Sequence, residues 1–291
     1  MMRVTEAQRG QRTLLDLQRV EERLMQLQQQ LSSGRRIQQP SDDPTGAADE
    51  MRWRSAIASN ERYGRTVDQG RSWLAITDTS LGQAGDVLSR ARELALSAGS
   101  DSETPQSRLA VAEEIGQLTT EMQGLANTKF AGRYIFGGIE TSQAPLQETA
   151  TGWQYVGSDV PRQADLGGGA SVQAGVTGEL FAPTIATLQR LETALRTNDA
   201  EQVRALVGDI DQAQEATIGA RATTGALVNR LERAADGMAA ANGAMTEQMT
   251  RVTDVDFTRA VVEMNTVSNA YQAALGAAAR IITPSLVDYL R

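Results

Sequence analysis

Apolar residues recur at alternating three- and four-residue spacing near both ends of this 291-residue chain. This spacing places apolar side chains along one face of a helix, as in a coiled coil. The N-terminal set spans only about two heptads, and a lone helix of that length is marginal in water. We therefore predict that the two terminal helices pack their apolar faces. The predicted seam consists of Leu17, Val20, Leu24, Leu27 and Leu31 on one helix and Phe257, Val261, Met264, Tyr271, Leu275 and Ile282 on the other.

The position of this seam at the chain ends bears on its purpose. Terminal segments usually fray unless something holds them in place. Apolar faces at both termini therefore favour burial by assembly with other subunits, and we call this set the assembly seam. Filling the core of a single chain is the alternative reading of the same pattern.

Three interior segments keep the same helical spacing: Leu74 to Ala95, Val111 to Leu125 and Ile210 to Met245. Together with the terminal helices they predict an antiparallel helical bundle. Several glycines lie near the third register, and we expect them to allow close approach of neighbouring helices. These glycines are Gly219, Gly225, Gly237 and Gly243.

Pro284 is expected to end or kink the last helix.

One segment interrupts the helical pattern. Residues 134–182 contain glycine clusters, two prolines and short alternating runs, which predict a small β-rich insert. Within it, 134–138 is expected to be a first strand followed by a glycine turn, and helix is expected to resume after Pro183. So short a segment should depend on the bundle for stability.

The predicted fold class is mainly α: an elongated antiparallel helical bundle with paired N- and C-terminal coiled-coil helices and a small β-rich insert. We expect three domains. Residues 1–40 and 255–291 form the terminal coiled-coil domain, 41–135 and 183–254 form the helical bundle, and 136–182 form the outer insert.

Asp42 and Asp43 are the most conspicuous carboxylate pair, and they follow the first apolar helix. A catalytic or metal-binding pair would need further convergent ligands. Aspartate before a proline instead suits a helix N-cap, with Pro44 at the first helical position. We predict a helix-capping motif formed by Ser41, Asp42, Asp43, Pro44 and Gly46.

The composition excludes several classes of chemistry. The chain has no cysteine and no histidine, which removes thiol nucleophiles, histidine bases and the usual zinc ligands. Its formal net charge of −8 disfavours nucleic-acid binding. We expect no enzyme activity, no cofactor and no metal. An all-carboxylate metal site at Asp159, Asp165 and Glu179 is the enzymatic alternative, although their spacing matches no known motif.

The N-terminus shows no apolar stretch of the kind found in cleaved secretory signals. The longest uncharged run near the C-terminus, 265–279, is too polar for a membrane span. We therefore expect no membrane insertion.

The segment LQQQLSSGRRIQQPSDDPTGAA resembles the N-terminal signature of the bacterial flagellin family. The stretch ITDTSLGQAGDVLSRARELALSAGS and the ending AAARIITPSLVDYLR are similar to further family regions. This resemblance covers residues 1–136 and 185–291. The KFAGRYIFGGIETSQAPL segment, the small insert and the 285–290 ending resemble the family's hook–filament junction members more than its filament members.

The resemblance implies a structural subunit that forms a ring between hook and filament. It implies type III export without a cleaved signal, from a transient cytoplasmic state to the extracellular flagellum. The implied partners are other copies of the chain, a neighbouring hook-associated protein, filament flagellin, and a cytoplasmic export chaperone at the C-terminal region. A short filament flagellin and a cytoplasmic coiled-coil adaptor are the alternatives.

Overall fold

The structure is a computed structural model that describes residues 2–100, 102–150 and 152–287, with side-chain surroundings for residue 8 and for residues 10–279 within those ranges. The described residues are mainly helical, which confirms the predicted fold class. The helices are α1 (Met2–Ser33), α2 (Pro44–Ala98), α3 (Pro105–Ala126), α4 (Phe181–Arg196), α5 (Ala200–Thr253) and α6 (Phe257–Val287). The strands are β1 (Lys129–Phe130), β2 (Arg133–Tyr134), β3 (Leu146–Thr149), β4 (Gly152–Tyr155), β5 (Gln163–Gly167) and β6 (Ala170–Gln173).

The chain divides into two compact units. The terminal unit joins the chain up to Ala58 with the chain from Asn242 onward, and the central unit is Ser59–Ala241. The predicted three-domain division separates the β-rich insert as well, and this finer division stays a prediction.

The core of the central unit follows the interior registers predicted from sequence. Every predicted position on α2, from Leu74 to Ala95, is buried. On α3, Ile115 and Met122 are buried and the remaining positions pack partly against the same core. On α5, Ile210 and Leu231 are fully buried. The periodic spacing therefore identified the face that each helix turns toward the core.

The β-rich segment consists, among the described residues, of three antiparallel hairpins: β1–β2, β3–β4 and β5–β6. Isolated hairpins are marginal in water. Each of the two larger hairpins places apolar side chains in the core of the central unit, among them Leu146, Ala164 and Val172. This anchoring explains how so small an insert is stabilised.

Two local predictions were wrong, and a third was wrong in part. The strand expected over 134–138 covers only Tyr134, because Ile135 and Phe136 leave the hairpin and enter the core. Helix α4 begins at Phe181, since a proline is tolerated in the first turn, where Pro183 lies. The backbone of α6 stays helical as far as Val287, so Pro284 does not end it, and a kink at Pro284 stays a prediction.

The glycines of α5 do not serve close helix packing. A Cβ atom built at Gly219, Gly225, Gly237 or Gly243 would meet no other atom within 4 Å. These positions face open space in the single chain, contrary to the prediction. In addition, no described helix is long and apolar enough to cross a membrane.

Candidate assembly surface of the terminal unit

Helices α1 and α6 pack against each other in the terminal unit. The centre of the α1 face is Leu27, which is 1% exposed. The other predicted positions on α1, Leu17, Val20, Leu24 and Leu31, are half-buried. The single chain thus covers one leucine completely and leaves part of the remaining apolar row accessible.

On α6, the buried face is rotated slightly about the helix axis from the face predicted from the sequence. Its most buried residues are Ala260 and Ala278, at 5% and 4% exposed. Predicted seam residues Val261, Met264 and Tyr271 are half-buried. Two more, Phe257 and Leu275, are 58% and 45% exposed, and the side chain of Ile282 lies outside the described residues. Whether these residues form an assembly seam stays a prediction.

Sequence reasoning did not assign Ala260 to the pairing face. The one signal for this role in the sequence is that Ala260 lies four residues before Met264, a spacing that places both residues on the same face of the helix. A small side chain at this point lets the two helix backbones approach closely. Beside it, Arg23 of α1 donates to Glu263 of α6, with 2.5 Å between Nη2 and Oε1. Both side chains are partly exposed, so this ion pair orients the helices more than it stabilises them.

The segment that follows α1 is hydrogen-bonded to the segment between α5 and α6. We call this pair of segments the joint. The Arg36 amide donates to the Thr253 carbonyl at 2.7 Å, and the Val255 amide donates to the Gly34 carbonyl at 3.0 Å. The Arg36 guanidinium also donates to the Val252 carbonyl, at 2.8 Å from Nη2. These bonds satisfy carbonyls that the end of a helix leaves without partners.

A buried carboxylate lies close to the joint. Glu50 on α2 is 8% exposed, accepts a hydrogen bond from Arg35 and forms an ion pair with Arg54. Two arginines compensate for the cost of burying this charge. The helical periodicity gave no signal for this cluster, because Arg35 reaches Glu50 from outside the helix.

Asp43 lies at the N-cap of α2, where its Oδ1 accepts from the Gly46 amide at 2.9 Å. Asp42 accepts from the amides of Gln38 and Gln39 at 3.0 and 2.9 Å. A Cβ atom at Gly46 would lie 2.5 Å from the Ile37 side chain, so only glycine fits at this third position of the helix.

These contacts lower the pKa of both aspartates below the usual value. For Asp42 the main cause is the hydrogen bond from the Gln39 amide, followed by that from Gln38. For Asp43 it is the Gly46 amide, followed by the Arg36 side chain. A carboxylate with a lowered pKa in the folded state stabilises that state when ionised. This contribution is present above the usual aspartate range and is lost as the pH falls through the lowered pKa.

An open polar groove of about 530 Å³ runs between the C-terminal half of α1, the joint and the start of α6. Its lining mixes arginines with carboxylates, including Arg251, Asp254 and Arg259. Within the described ranges, no group of three or more carboxylates is placed to hold a metal ion, and this includes Asp159, Asp165 and Glu179. The charged side chains and capped helix ends of the groove suit contacts with another protein through salt bridges.

Two family models match the chain. The bacterial flagellin N-terminal helical region matches residues 6–141, and the bacterial flagellin C-terminal helical region matches residues 207–290. Together they span about three quarters of the sequence and include both terminal helices. The chain belongs to the flagellin family. Members of this family are structural proteins of the flagellum, so this flagellin-family chain is a structural component and not an enzyme.

Relatives of both filament and hook-associated type resemble this flagellin-family chain. Flagellin FlaB2 of Treponema pallidum is 26% identical over 90% of this chain and 91% of its own length. Flagellar hook-associated protein 3 of Escherichia coli is 24% identical over 86% of this chain and 87% of its own length. The crystal structure of Bacillus cereus FlgL is 26% identical, with a TM-score of 0.60 over 68% of this chain and 99% of that one.

Proposed function

We propose that this chain is the subunit of the hook–filament junction. In this role it forms a ring of identical copies between a neighbouring hook-associated protein and filament flagellin. It is exported through the type III apparatus without a cleaved signal, with a chaperone bound to its C-terminal region in the cytoplasm beforehand.

The likeness to hook-associated protein 3 carries this proposal. The Escherichia coli protein of that name aligns with this chain over 86% of this chain and 87% of its own length. The fold likeness to Bacillus cereus FlgL, at 26% identity, supports the same assignment. The hairpin β1–β2 and the buried Phe136 belong to the KFAGRYIFGGIETSQAPL segment, which resembles junction members of the family.

A filament subunit is the second candidate. The likeness to flagellin FlaB2 of Treponema pallidum favours it, because that relative also aligns over about nine tenths of both chains. Both candidates use the same helical termini, so the terminal unit alone does not distinguish them. They differ in where the subunit lies and in how many copies a flagellum contains.

The terminal unit supports assembly in either case. It leaves Phe257, Leu275 and part of the leucine row of α1 exposed on paired helices. Burying such residues against neighbouring subunits removes apolar surface from water. Each Å² of apolar surface buried stabilises the assembly by about 25 cal/mol. The hydrogen bonds of the joint tie the segment after α1 to the segment before α6.

Deletion of the gene in the bacterium that encodes it tests the junction assignment. We expect cells that keep their hooks, lack attached filaments and release filament subunits into the medium, because nothing retains the filament. Electron microscopy and immunoblotting of the medium measure both effects, and a plasmid with the full chain serves as control. Deletion cells that retain attached filaments of normal length would contradict the proposal.

A further inference from the structure

Two buried hydrogen-bond donors of the central unit have no acceptor among the described residues. They are the indole Nε1 of Trp73, on α2, and Nη1 of Arg162, in the segment that leads into β5. Trp73 is 4% exposed, and both nitrogen atoms are shielded from solvent. A buried N–H group without an acceptor is costly, so nearly all such groups in native proteins have a partner. These two donors therefore point to a bound species that accepts hydrogen bonds.

The two side chains meet beside Gly175, in the segment that follows β6. The guanidinium carbon of Arg162 lies 4.9 Å from the centre of the Trp73 ring. The ring attracts the guanidinium charge, but the indole N–H lies in the plane of the ring and gains no acceptor from this contact. A Cβ atom built at Gly175 would lie 3.5 Å from Trp73 Nε1 and 3.3 Å from Arg162 Cβ. Because this buried residue has no side chain, room is left beside the indole N–H.

The charge around these donors is positive. Phe130 lies opposite Arg133 in the β1–β2 hairpin, so both side chains are on one face of it. The Phe130 ring packs edge-on against Trp73, with 6.2 Å between ring centres. Burial mainly lowers the pKa of Arg162, and the positive charge of Arg133 lowers it further, although a guanidinium stays protonated at neutral pH. Within the described ranges, no carboxylate forms an ion pair with Arg162.

We propose that Trp73 and Arg162 bind one small monovalent anion, such as chloride, beside Gly175. Both atoms without partners are donors, and an anion accepts from both while it offsets the buried positive charge. A water molecule could accept the same bonds, but it would leave the charge uncompensated and would need acceptors for its own protons. A carboxylate of another chain is too large to reach atoms that solvent does not reach.

The bound anion links two parts of the central unit. Trp73 belongs to the long helix α2, whereas Arg162 and Gly175 belong to the β-rich segment. An anion held by both therefore fastens this segment to the helices, in addition to the apolar side chains that the hairpins place in the core. This role applies equally to a junction subunit and to a filament subunit, so it does not depend on the proposed function.

Nitrogen-15 NMR of the indole N–H groups tests the site directly, because the chain has three tryptophans. The full chain is labelled at tryptophan and purified in sodium gluconate, and Trp53→Phe and Trp153→Phe variants assign two signals, which leaves the third to Trp73. We expect sodium chloride, added at constant ionic strength, to shift the Trp73 signal until it saturates. The signals of Trp53 and Trp153 should stay in place. A Trp73 signal without a saturating response to chloride would overturn the proposal.

Arg162→Met tests the second donor in the same titration. Methionine keeps an apolar chain at this position but has no N–H group and no charge. The chloride concentration at half saturation should therefore rise at least about tenfold. Arg190→Met is the matched control, because Arg190 forms an ion pair with Asp209 and lies outside the site. An unchanged chloride response in Arg162→Met would overturn the proposal.

Thermal unfolding of Gly175→Ala keeps the proposal testable if Arg162→Met does not fold. An anion bound only by the folded chain should raise the unfolding midpoint by about 3 °C in chloride relative to gluconate at equal ionic strength. The added methyl group of Gly175→Ala occupies the site, so this variant should lose the rise. Gly85→Ala should keep it, because a Cβ atom there meets no other atom within 4 Å. Equal responses of Gly175→Ala and Gly85→Ala to chloride would overturn the proposal.

Discussion

We expect Leu27→Asp to abolish incorporation of the subunit into flagella while the central unit stays folded. Leu27 is the one α1 position of the predicted seam that the single chain buries completely, at 1% exposed. A carboxylate there must be desolvated without a partner or be protonated, which costs roughly 3 kcal/mol or more. The pairing of α1 with α6 should therefore be lost, and with it the surface that neighbouring subunits bind.

The measurement compares the amount of subunit in sheared flagella with the amount exported into the medium. Gln28→Asp is the matched control, because Gln28 is exposed on the same helix. Limited proteolysis should release an intact central fragment from the Leu27→Asp chain. Normal incorporation of this variant would show that the α1–α6 face is not needed for assembly.

Phe136→Ala should produce the largest loss of stability in the central unit. The Phe136 ring is fully buried and packs edge-to-face on Phe181, with 4.8 Å between ring centres. Its carbonyl also accepts hydrogen bonds from the Gly178 amide and the Tyr155 hydroxyl. Truncation of a buried phenylalanine costs about 3–5 kcal/mol. This change should therefore loosen the attachment of the β-rich segment to α4.

Urea unfolding followed by tryptophan fluorescence measures this effect, because Trp73 and Trp153 both lie in the central unit. Phe257→Ala is the matched control. Phe257 is 58% exposed, so its truncation should change the free energy of unfolding by less than about 0.5 kcal/mol. A similar small change for Phe136→Ala would mean that the β-rich segment is not anchored through this ring.

Much of the fold follows from periodicity in the sequence. The registers on α2, α3 and α5 gave the correct buried faces because helical spacing repeats over many turns, and errors at single positions average out. Glycine and proline clusters gave the location of the β-rich segment, because several such residues together outweigh an error at any one of them. Helix ends and strand ends were less accurate, as at Phe181 and Tyr134, because a terminal residue depends on one or two local contacts.

The site depends on contacts between residues far apart in sequence, and periodicity does not reveal these. Arg36 reaches the Val252 carbonyl, and Arg35 reaches the buried Glu50, through connections outside the helices. The role of Ala260 depends on which face α6 turns to α1, and the more hydrophobic neighbours of Ala260 indicated a face rotated slightly from the observed one. The α5 glycines were misread because spacing alone does not tell whether a neighbour is present.

The position of the subunit in the flagellum tests the central claim most directly. Immunogold electron microscopy of intact flagella, with antibodies raised against residues 136–182 and a gene-deletion strain as control, measures it. The account predicts gold confined to one point on each flagellum, where the hook meets the filament. Gold distributed along the whole filament would contradict the junction assignment and identify a filament subunit.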